Sequence, residues 1–63
     1  MNALEVIISE IDKKVFQLQD AVSTGRCVSY EEYKGMCGEI KGLLTARTYV
    51  LETQQMIERT ENE

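Results

Sequence analysis

The sequence predicts an all-α protein: a two-helix antiparallel hairpin with a longer second helix, completed by oligomerisation or by packing on a larger protein. Three observations predict this. Two runs of apolar residues recur at helical spacing, a single glycine-bearing break separates them, and the chain has only 63 residues. A chain of that size buries about 60% of the surface its unfolded form exposes, so its own core is marginal. Residues 1–63 read as one domain, with helix 1 at about 3–23, a loop at about 24–29 and helix 2 at about 30–59.

Helix 1 follows from Leu4, Ile8, Ile11, Val15, Leu18 and Val22, which form the a/d stripe of an amphipathic or coiled-coil helix. Ile7 and Ala21 widen that stripe. Asn2 and Glu5 have capping-box spacing, and Glu10 and Lys14 are placed for an i,i+4 ion pair. Ser23-Thr24-Gly25-Arg26-Cys27-Val28-Ser29 then combines turn formers with a glycine suited to the left-handed position after a helix end. With no proline in the chain, this is the one clear break.

Helix 2 opens at Ser29-Tyr30-Glu31-Glu32. Ser29 is placed to cap the Glu32 amide, Glu32 to reach back to Ser29, and Val28 and Tyr33 to close a hydrophobic staple over the cap. Tyr33, Met36, Cys37, Ile40, Leu43, Leu44, Val50, Leu51 and Ile57 continue at helical spacing. In a hairpin closed at Gly25, the start of helix 1 falls opposite Thr48 or Tyr49. Val50, Leu51, Met56 and Ile57 then lie on an overhang that another chain must cover, unless the overhang is a frayed tail.

Gly35, Gly38 and Gly42 are the second unusual feature, because each glycine inside a helix costs roughly 1 kcal/mol relative to alanine. They share one side of helix 2, nearly opposite the Tyr33-Ile40-Leu44-Leu51 stripe, and Thr45, Ala46, Tyr49, Thr53 and Met56 continue that side. Helix 2 therefore has two packing faces. The plainer reading of the glycines is a locally weakened helix. Phe16 lies off the helix 1 stripe and is either a further contact or a peripheral packing residue. Arg47 falls near the centre of the apolar face of helix 2. Its stem either snorkels out at the end of helix 1, or its charge meets a carboxylate from another chain, and the second is favoured. The expected partner-binding residues are thus Phe16, Gly35, Gly38, Gly42, Ala46, Arg47, Tyr49, Leu51, Met56 and Ile57.

Several function classes are disfavoured. With no histidine in the chain, the usual general base is missing and no catalytic residue is assigned, so the protein is read as non-enzymatic. The two cysteines are ten residues apart with no Cys-x-x-Cys motif, and no metal ligand set or cofactor is expected. Cys37 reads as a small apolar-face residue and Cys27 as the more exposed of the pair. Eleven acidic against seven basic residues give a net charge of −4, which argues against nucleic acid and anionic lipid as partners. No apolar run is long enough to span a bilayer, and the N-terminus lacks the pattern of a signal peptide, so reduced thiols and a cytoplasmic setting are expected.

The segment from Glu32 to Ala46 carries a resemblance. Tyr33, Cys37, Gly38, Ile40, Gly42, Leu43 and Ala46 stand at offsets similar to those in small proteins of about sixty residues encoded by tailed bacteriophages. Gly35 departs from that pattern, in which a longer polar residue is expected. The resemblance implies a virion or assembly accessory protein, made in the host cytoplasm and present in the virion, that packs on itself or on a larger phage structural protein. The alternative is a small phage regulator that binds and inhibits a host protein.

Overall fold

A computed structural model of the chain describes residues 2–62. It contains two helices, α1 (Ala3–Ser23) and α2 (Tyr30–Asn62), packed on one another as a hairpin. The second helix is longer, 33 residues against 21, and runs past the expected stop near residue 59.

Local chemistry explains the ends. Asn2 accepts the Glu5 amide through its side-chain oxygen at 2.9 Å, capping α1. At the other end, the Arg26 amide donates to the Ala21 carbonyl at 3.1 Å and the Gly25 amide to the Val22 carbonyl at 3.4 Å. Those two bonds form a Schellman motif around Gly25, whose φ of 73° is the left-handed conformation the motif requires. Ser29 caps α2 by accepting the Glu32 amide at 3.1 Å. The return bond differs from the expected box: the Glu32 carboxylate accepts from the Val28 amide at 3.1 Å, one residue before Ser29. The expected staple is not formed. Val28 is 89% exposed, and Tyr33 instead stacks on Tyr30 with ring centroids 6.5 Å apart. Glu10 pairs with Lys13 at 3.4 Å rather than with Lys14, the i,i+3 neighbour being equally close on the helix surface.

The core is small. Val15, Leu18 and Ala21 are its buried residues, while Leu4, Ile8, Ile11 and Val22 of the same face are half-buried. On α2 the half-buried residues Met36, Ile40, Leu43, Arg47, Val50 and Gln54 recur every four and three positions and form the face toward α1. Tyr33 and Leu44, expected near the middle of that face, are each 45% exposed at its edge.

The register departs from expectation by roughly two turns. Asn2, Ala3 and Leu4 lie beside Gln54, Ile57, Glu58 and Glu61, and not opposite Thr48 or Tyr49. The reason is the connection: Arg26 to Ser29 carry the chain across to α2 after Gly25, so the reversal is centred beyond the glycine. Helix α1 consequently reaches past Val50 and Leu51, both half-buried, to Ile57 and Glu58, and the overhang is reduced to the last turn of α2. The hairpin is a rod, 52 Å long and 19 by 13 Å across, with a radius of gyration of 15.1 Å. A compact chain of this length has a radius nearer about 11 Å.

Candidate interaction face of the second helix

The expected contact residues divide into two groups. Gly35, Gly38, Gly42 and Tyr49 are exposed and share one side of α2 with Met56, and Ala46 is half-buried at the border of that side. A Cβ built at Gly35, Gly38 or Gly42 meets nothing within 4 Å. The hairpin itself therefore makes no use of the missing side chains. Tyr49 is 64% and Met56 65% exposed on the same side, and Thr53, Met56, Ile57 and Thr60 border a shallow apolar groove near the C-terminal end.

Leu51 and Arg47 belong to the intramolecular packing. Leu51 lies within reach of α1 because of the register described above, which corrects its assignment to an overhang. Arg47 meets a carboxylate of its own chain: Nε donates to Asp12 Oδ1 at 2.7 Å and Nη2 to Asp12 Oδ2 at 3.4 Å. The hydrogen bond and the charge of Asp12 raise the Arg47 pKa above its ordinary value, partly opposed by desolvation. Neither expected destination for Arg47, an exit at the end of α1 or a carboxylate from another chain, is the one it takes. Asp12 is the residue that sequence reasoning missed, because it lies beside the α1 stripe and only the register brings it to Arg47. Ile57 is intermediate between the groups, 44% exposed and bordering Leu4.

Phe16 is 70% exposed, beside a shallow depression shared with Ser9, Asp12 and Lys13 of α1. It packs into no core.

At the loop end, Cys27 and Cys37 are both half-buried free thiols. The Cys27 sulfur lies 3.1 Å from the Met36 sulfur. The neighbouring Cys37 thiol, through its hydrogen-bonding influence and then its charge, followed by desolvation and the charges of Cys27 and Tyr30, pushes the Tyr33 hydroxyl above its ordinary pKa. Among the described residues, no three His, Cys, Asp or Glu side chains are grouped so as to hold a metal ion. No described helix is long and apolar enough to cross a membrane. No protein-family model, curated protein or solved structure matches the chain.

Proposed function

We propose that the chain is a non-enzymatic accessory protein of a tailed bacteriophage, acting in the virion or its assembly by helix packing on itself or on a larger structural protein. One observation carries the mode of action. Tyr49 and Met56 lie open on the same side of α2 as three helical glycines, with no described residue packed over the glycines. Exposed large apolar groups and glycines that cost helix stability together favour a surface shaped for a close neighbour. The small core of Val15, Leu18 and Ala21 adds to this, because so short a chain gains stability by assembling.

The phage context rests on the resemblance of the Tyr33 to Ala46 segment. Mass spectrometry of purified particles tests it, with the chain expected at a reproducible copy number. Its absence from particles, together with its capture on a host protein, would transfer the reading to the regulator class.

A further inference from the structure

We draw no further inference here: the strongest candidate, the side-chain cluster of Cys27, Met36 and Cys37 at the loop end of the hairpin, rests on one contact, between the Cys27 and Met36 sulfurs at 3.1 Å, and nothing in the structure shows what it would bind.

Discussion

Arg47 and Asp12 form a two-pronged ion pair, at 2.7 and 3.4 Å, that ties the middle of α2 to the middle of α1. Both side chains keep substantial exposure, 36% and 51%, so the pair is screened by salt and acts more on register than on stability. Asp12→Ala is expected to lower the melting temperature at low salt and to do so much less in about 1 M salt, where charges a few ångströms apart are screened. Arg47→Leu in the Asp12→Ala background should recover stability, since it places an aliphatic group on an apolar stripe. Thermal melts at two salt concentrations decide this. Equal losses at both would mean that Asp12 acts through packing.

Glycine substitutions should have opposite signs in the two parts of the chain. Gly25→Ala is expected to destabilise by about 1–2 kcal/mol, because φ of 73° is strained for any residue with a Cβ. Gly38→Ala should stabilise the dilute chain by up to about 1 kcal/mol, because the helix gains propensity and the new methyl meets nothing. Urea titration reads both. A loss at Gly38 would reveal a contact on that side.

Shortening the chain after Tyr49 should unfold the hairpin. That cut removes Val50, Leu51 and Gln54, half-buried against α1, and full burial of one such apolar side chain is worth at most about 1.5–3 kcal/mol. Ending the chain after Glu58 should retain the hairpin, because only the projecting turn is lost. Circular dichroism of the two shortened chains distinguishes this register from one in which α1 stops at Tyr49, for which both would remain helical.

Stability should fall in strong alkali through Tyr33. Its pKa in the folded chain lies above the ordinary 10.0, so the folded state holds the phenolic proton more tightly than the unfolded state does. The contribution is complete below pH 10.0 and is lost as pH rises from there through the folded-state value. The group is solvent-exposed, so the effect is small. Tyr33→Phe should flatten this limb of the pH–stability profile, and an unchanged slope would assign it elsewhere.

The two helices were legible because each carries its own local instructions. The α1 stripe from Leu4 to Val22, the Asn2 and Ser29 caps and the left-handed glycine at Gly25 need no knowledge of the partner helix, and each holds in the structure. The open glycine side was legible for the same reason, since residues on one helix keep fixed angular relations whatever surrounds them.

The register, by contrast, belonged to the tertiary structure. The path of Arg26 to Ser29, which carries the hydrogen bond from the Val28 amide to Glu32 and the contact between Cys27 and Met36, sets together with the Arg47–Asp12 pair how far α2 slides along α1. The slide turned Leu51 inward and shortened the overhang to the last turn of α2. Local sequence thus determined two helices, their caps and an unpaired side of α2. Docking decided which charged and apolar residues the chain satisfies for itself, because these depend on contacts between residues far apart in sequence and on no periodicity within either helix.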